Sequence, residues 1–221
     1  AVCSDGASIK NLRKNGYNIK TLSIERSINP IKFMSSVWHL FKFLRQEKFD
    51  LIHVHTPVAA LVGRIAGRLA KVHGIIYTAH GFYFHEEMSK FKKIFHIKLE
   101  KFGGHFTDLL FTQSSEDAQT ALRLNIVPSN RIFSIGNGVN VKKFNPKIVN
   151  SRTKVRDNFK IPQQAFVIGM ISRLVEEKGI IDFLDAAELI ASKHHNVWFL
   201  LVGERLKSDH ANLVNSRINK S

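Results

Sequence analysis

Apolar positions along this chain switch between a spacing of two residues and a spacing of three to four, and the switching divides most of it into strands and helices. Ala1-Val2-Cys3 reads as the stub of a strand, followed by a helix through Ile9, Leu12 and Arg13 that stops at Gly16; Tyr17 to Ile24 then alternates as a strand does. Pro30 opens a helix in which Phe33, Val37, Leu40, Phe41 and Leu44 recur at helical spacing, ending before Asp50. Leu51 to His55 is a short apolar strand. Pro57 begins a helix of small residues (Ala59, Ala60, Gly63, Ala66, Gly67, Ala70), whose composition suits close packing on a sheet, and Gly74 to Ala79 is the next strand. A helix over Met88 to Phe102, a strand over Asp108 to Thr112, a helix over Ser115 to Leu124 and a strand over Arg131 to Ile135 continue the alternation.

Helices of this length between apolar strands require a mostly parallel sheet with helices on both faces, where ligands bind beyond the carboxyl ends of the strands. From Gly136 to Lys160 the pattern weakens into Gly, Asn, Pro and Lys, as a connector does. A second unit then begins, with a strand over Ala165 to Ile171, a helix over Gly179 to Ser192 and a strand over Val197 to Val202. The fold class expected is α/β with parallel sheets in two Rossmann-like domains: residues 1–145, a connector over 146–160, and 161–221 as the start of a second domain. The stub at Ala1 and the small core after Ile161 lead to the expectation of a fragment.

Charge sharpens this division. The 221 residues hold 33 Lys+Arg and 18 Asp+Glu, a formal charge of +15 and a pI near 10.1. Residues 1–160 carry 26 basic and 11 acidic side chains and residues 161–221 carry 7 of each, so all the net charge lies in the first part. Such an excess suits a polyanion, an anionic membrane or a phosphorylated substrate, and it also serves plain solubility. Cys3 is the only cysteine, which excludes an internal disulfide and a multi-cysteine zinc site and fits a reducing compartment. There is no run of about 18 apolar residues to span a bilayer, and no basic and apolar leader pattern at the start, so a cytoplasmic location is expected.

Candidate chemistry sits at strand ends. His53-Val54-His55-Thr56 and Thr78-Ala79-His80-Gly81 close consecutive strands, and alternation puts His53 and His55 on one side. Zinc would need carboxylate or cysteine partners at fixed spacing, which are missing; a polar crevice lining, an imidazole presented to a substrate or a structural histidine are the readings left open. In Ser172-Arg173-Leu174-Val175-Glu176-Glu177-Lys178-Gly179, a cation pair leads into a helix N-terminus, where a diphosphate would sit. Two solvated charges balanced by Glu176 and Glu177 would give the same pattern. Gly136-Asn137-Gly138 lacks the third glycine and the helix of a dinucleotide fingerprint. Neither a phosphate loop of the GxxxxGK[ST] type nor an Asp-x-Asp pair is present. Ser89 to Phe102 is basic and amphipathic, with Phe91, Ile94, Phe95 and Phe102 on one face: either it docks on anionic headgroups, or it packs on its own sheet with a wet lysine face.

Taken in order, Glu25-Arg26-Ser27, Asp50-Leu51-Ile52-His53-Val54-His55-Thr56-Pro57, Thr78-Ala79-His80-Gly81-Phe82, Asn137-Gly138-Val139, Ser172-Arg173-Leu174 with Glu177-Lys178-Gly179, and Leu201-Val202-Gly203-Glu204-Arg205 resemble the retaining, GT-B fold glycosyltransferases of family 4, especially bacterial members that build capsular, exopolysaccharide or lipid-linked glycans. The resemblance implies metal-independent transfer of a sugar from a nucleotide diphosphate donor, with no further cofactor. The acceptor would be a glycan or polyprenyl-phosphate-linked hydroxyl, met at the cytoplasmic face of the membrane. It implies that Arg173 and Lys178 hold the donor diphosphate, that His80 is catalytic beside the donor sugar, and that His55 and Thr56 lie on the acceptor side.

Relative to that family, an opening strand with a glycine-rich loop is expected before Ala1 and a donor-binding glutamate pair beyond Ser221, so little transferase activity is expected of these residues alone. Asn140 stands where an aspartate is usual. The readings that compete are a non-catalytic basic α/β module for an anionic membrane or nucleic acid, and a nucleotide-sugar epimerase. Only charge supports nucleic acid, which is not an expected partner.

Overall fold

The strands form where β-branched and aromatic residues run together. The computed structural model describes residues 1–6, 8–22, 29–85, 88–147, 151–204, 214, 217 and 218. In chain order the elements are β1 (Val2–Cys3), α1 (Ile9–Lys14), β2 (Lys20–Thr21), α2 (Pro30–Glu47), β3 (Leu51–His55), α3 (Pro57–Leu69), β4 (Gly74–Ala79), α4 (Lys90–Gly104), β5 (Leu109–Thr112), α5 (Ser115–Arg123), β6 (Ile132–Ser134), α6 (Ser151–Asn158), β7 (Phe166–Ile171), α7 (Ile180–Ala191) and β8 (Val197–Val202). Among the described residues all the strand pairs are parallel: β1 with β2, β3-β4-β5-β6 in that order, and β7 with β8.

The chain divides into two compact units, Ala1–Val139 and Asn140–Ser221. The boundary thus falls within the weakly patterned Gly136–Lys160 stretch and ahead of the connector bounds of 146–160, a segment that contains α6. The second strand is shorter than its alternation suggests, and Ser23, Ile24 and the Glu25-Arg26-Ser27 motif lie outside the described residues, as does Arg205.

Local chemistry sets the helix ends. The Asn29 side chain accepts from the Ile31 and Lys32 amides at 3.1 and 3.3 Å, and Pro30 supplies a preset φ in the first turn of α2. Ser114 caps α5 by accepting from the Asp117 amide. The small residues of α3 let its backbone lie against the sheet: a methyl group on Gly63 would stand 2.5 Å from Val54 Cγ1, and one on Gly67 would collide with Ile52 Cδ1. Large aliphatic side chains from α2 and α3 (Val37, Leu40, Leu44, Val62) form one core cluster, and Tyr77, Ala79, Leu110 and Ile126 anchor a second. In the second unit Val175, Ile180 and Val214 are buried together.

Alternation decides which face is covered. Ile52, Val54, Ile75, Tyr77 and Leu110 point toward the helices that follow the strands, whereas Leu51, His53 and Phe133 on the opposite face are exposed. On the histidine face Thr78 is buried and Ile76 and Phe111 are half-buried, while Leu51 and Phe133 on the outer strands are exposed.

Candidate functional site

The parallel register of β3 and β4 sets His55 opposite Thr78 and His53 opposite Ile76. Side chains then meet on the diagonal. His53 Nε2 lies 2.7 Å from Thr78 Oγ1, and two residues on His55 Nδ1 lies 3.0 Å from His80 Nε2. The rings of His53 and His55 are 4.3 Å apart at their centroids, and Phe111 of β5 meets His53 edge-on. His53, His55 and His80 are thus brought together at the carboxyl ends of two neighbouring strands. Gly81, with φ of +105°, turns the chain away immediately afterwards and leaves His80 exposed.

Partial burial lowers the proton affinity of both His53 and His55 below the ordinary histidine value. For His53 the charge of His80 adds to that; for His55 the charges of His53 and then His80 do. Across the 3.0 Å gap one of the His55 and His80 rings donates and the other accepts, according to their tautomers. Among the described residues no group of three or more His, Cys, Asp or Glu side chains is arranged to hold a metal ion.

Thr56 follows at once with φ of +65° and ψ of 143°, a conformation that β-branched residues avoid and that costs about 1–3 kcal/mol. Its carbonyl accepts from the Ala60 amide at 2.8 Å, while no side chain caps α3. A cavity of about 870 Å³ runs along the edge of β3 not paired with β4, lined by His53, His55, Thr56 and the Ser4-Asp5 loop after β1. His55 and Thr56 line the part of this cavity at the carboxyl end of β3, and the rest of it borders the unpaired strand edge.

Arg173 and Lys178 belong to the second unit. β7 ends at Ile171, and the Ser172 and Leu174 amides bond to the Val202 and Glu204 carbonyls, which fixes the loop beyond the strands' carboxyl ends. A methyl group on Gly203 would collide with the Ser172 carbonyl, so the backbones touch there. Arg173 pairs with Glu177, and Lys178 is exposed in a short 3-10 turn just before Gly179, which enters α7 with φ of +71°. A charge balance of Arg173 by Glu177 is what the bland reading of the motif requires. The same loop holds both cations beside an α7 N-terminus without a side-chain cap.

Sequence reasoning missed a buried constellation in the first unit. Arg64 of α3 donates to Glu100 of α4 at 3.1 Å, the Tyr77 hydroxyl donates to the other Glu100 oxygen at 3.2 Å, and the guanidinium lies 4.2 Å over the Tyr77 ring. Burial, with Glu100 adjacent, raises the Tyr77 pKa far above its usual value, so the phenol stays protonated as donor. The available signal was the position of Arg64 on the small-residue stripe of α3, with Ala60 and Gly67 one turn to either side.

The apolar residues read as one face of α4 stay exposed or half-exposed. Phe91 is 88% exposed, and Ile94, Phe95 and Phe102 are about half exposed, while Glu100, Gly103 and Gly104 are the buried residues of the helix. No described helix is long and apolar enough to cross a membrane.

Comparison with known proteins adds lineage to this geometry. A family model described as Glycosyltransferase Family 4 matches residues 2–143. The chain is similar to the UDP-Gal:alpha-D-GlcNAc-diphosphoundecaprenol alpha-1,3-galactosyltransferase of Escherichia coli, with 33% identity over 181 residues covering 81% of this chain and 46% of that protein. It is also similar to the capsular polysaccharide biosynthesis glycosyltransferase CapM of Staphylococcus aureus, with 26% identity over 206 residues, 91% of this chain and 53% of that protein. The chain thus spans about half the length of these curated relatives. The crystal structure of Anabaena HepE in complex with UDP and glucose shares its fold, with a TM-score of 0.73 and 21% identity over 98% of this chain and 56% of that one.

Proposed function

The chain belongs to Glycosyltransferase Family 4, and from that premise we propose that it transfers a sugar, with retention of configuration, from a nucleotide diphosphate donor to a lipid-linked or glycan hydroxyl in bacterial surface polysaccharide synthesis. The observation that carries this reading is the His55–His80 hydrogen bond at the carboxyl ends of β3 and β4, where ligands of parallel α/β sheets bind. The two-unit parallel α/β architecture is of the GT-B class.

His80 faces the donor sugar near the reacting carbon, held by its bond to His55. His55 and Thr56 form the acceptor side, with the Thr56 backbone strained to shape it. Arg173 and Lys178 hold the donor diphosphate and offset the negative charge that grows on it as the glycosidic carbon–oxygen bond breaks. The acceptor hydroxyl attacks the anomeric carbon from the face the diphosphate leaves and passes its proton to the departing phosphate oxygen, so the new carbon–oxygen bond keeps the donor's configuration as the nucleoside diphosphate leaves. The two side-chain cations take the part a metal ion plays elsewhere, so no metal and no cofactor is invoked; the donor is a co-substrate. The lipid-linked acceptor of the Escherichia coli relative supports a membrane-borne substrate here. The exposed aromatics and lysines of α4, on the basic part of the chain, suit peripheral docking on an anionic cytoplasmic membrane face.

Product analysis with donor alone and with donor plus acceptor tests the reading. A transferase releases nucleoside diphosphate in step with acceptor glycosylation, and His80→Ala abolishes both. Conversion of the donor sugar without any acceptor would make this an epimerase instead.

A further inference from the structure

His53, His55 and Thr78 share one face of the sheet, and His80 follows two residues after Thr78. Thr78 is the buried member, 2% exposed, and among the described residues its hydroxyl bonds to His53 Nε2 alone, at 2.7 Å. A buried O–H without an acceptor costs more than an oxygen lone pair without a donor, so the hydroxyl donates and His53 Nε2 accepts. The ring proton of His53 then sits on Nδ1, the less common form of a neutral imidazole. Phe111 meets the same ring edge-on at 6.1 Å between centroids, so His53 is held from two neighbouring strands. His55 lies against it, with centroids 4.3 Å apart, and its Nδ1 meets His80 Nε2 at 3.0 Å. A neutral imidazole side chain carries its proton more readily on Nε2 than on Nδ1. Both rings of the pair take that favoured form only when His80 Nε2–H donates and His55 Nδ1 accepts; the reverse donation needs the less favoured form in both. Asp5, a carboxylate of the cavity that His53 and His55 line, accepts from the Gly6 amide in its own loop, so the imidazoles bond to a hydroxyl and to one another instead of to an acid.

We infer that Thr78, His53 and His55 are positioning residues for His80, which together hold its proton on Nε2 and leave its Nδ1 as a bare acceptor for a ligand hydroxyl. The inference rests on the reading of His80 as the group beside the reacting sugar, and it adds which of its two nitrogens can act there and in which sense. Each layer fixes the next. The Thr78 hydroxyl sets the tautomer and orientation of His53, the His53 ring gives His55 a surface to lie on and shields one of its faces from water, and a neutral His55 offers His80 its one acceptor.

The test is long-range proton–nitrogen NMR of this chain with isotope-labelled histidine at about pH 8, above the ordinary histidine value of about 6.5, each ring being assigned by substitution. His80 is expected to be protonated at Nε2 with a bare Nδ1, and His53 to be protonated at Nδ1. His55→Phe removes the acceptor and is expected to let His80 average between its two tautomers; His55→Asn, whose amide oxygen comes close to the place of Nδ1, restores the fixed form. Thr78→Val is expected to raise the titration midpoint of His53 by about 0.7 pH unit, the equivalent of one lost hydrogen bond, and Thr78→Ser to return it. A His80 protonated at Nδ1 in the unaltered chain, a His80 tautomer that His55→Phe leaves fixed, or a His53 midpoint that Thr78→Val does not move overturns the proposal. The first of these needs no variant, so a substitution that misfolds leaves it decisive. The spectra require neither donor nor acceptor: the expected tautomers in a protein that never transfers sugar overturn the enzymatic reading alone, whereas transfer by a protein whose His80 is protonated at Nδ1 overturns this assignment alone.

Discussion

Replacing Glu100 by Gln removes one charge from the centre of the first unit and almost no volume. The Arg64 and Glu100 side chains are 1% and 7% exposed, so their attraction is little screened, and Gly103 packs so closely that a methyl group there would stand 2.5 Å from the guanidinium carbon. The introduced amide keeps an oxygen for the Tyr77 hydroxyl; what is lost is the counter-charge. Breaking a buried pair while leaving the partner charged costs about 3–5 kcal/mol. The contact with the Tyr77 ring and the bond to the Ala60 carbonyl persist, which puts Glu100→Gln near the lower figure. With an m-value of about 2 kcal/mol/M, a loss of about 3 kcal/mol moves the urea midpoint down by about 1.5 M. Trp38 and Trp198 lie in different units, so a Trp198→Phe background makes Trp38 fluorescence report the first unit alone. Adding Arg64→Met removes the stranded charge and is expected to recover most of the loss. A shift below about 1 kcal/mol for Glu100→Gln, or a double variant no more stable than the single one, would refute the reasoning.

Three further outcomes are expected. Arg173→Ala and Lys178→Ala, measured as kcat/KM in the gene product that carries this chain, should each cost roughly 2–4 kcal/mol of transition-state stabilisation, and unchanged turnover in both would remove the donor-diphosphate assignment. His53 and His55 have folded pKa values below the ordinary histidine value of about 6.5, so the unfolded chain binds protons first as pH falls; first-unit stability is complete above that value and declines as pH drops toward the folded values. Trp38-monitored melts between about pH 7.5 and 5 should show this decline, and His53→Gln with His55→Gln should flatten it. Thr56→Gly relieves a strained backbone at the cost of added chain entropy, for a net gain of about 1 kcal/mol in melting experiments, while acceptor turnover falls because the loop loses its fixed shape.

The elements around the site were legible because their signals are local. Pro30 and Pro57 mark helix starts, and the strands Leu51–His55 and Gly74–Ala79 stand as read, since apolar runs bounded by Asp, Thr and Gly admit no other length. The carboxyl-end placement of His53, His55 and His80 follows from the same pattern. Which imidazole bonds to which does not, because the pairing depends on the register between two strands separated by α3. Arg64 and Glu100 were missed for a different reason: a charged residue on a helix reads as solvated, the small-residue stripe around Arg64 is a faint counter-signal, and only the meeting of α3 and α4 buries the pair. Helix α6 escaped because Val155 is its one apolar residue, so no apolar period distinguishes Ser151–Asn158 from a connector.

The most direct measurement of the central claim is the anomeric configuration of the product. The gene product that carries this chain is incubated with isotopically labelled UDP-sugars and a polyprenyl-diphosphate-linked sugar, and the new linkage is read by NMR from its anomeric coupling. The account predicts that label moves to the lipid-linked product with the configuration it had in the donor. An inverted linkage would contradict the retaining mechanism, and label that never leaves the nucleotide sugar would contradict the transferase reading as a whole.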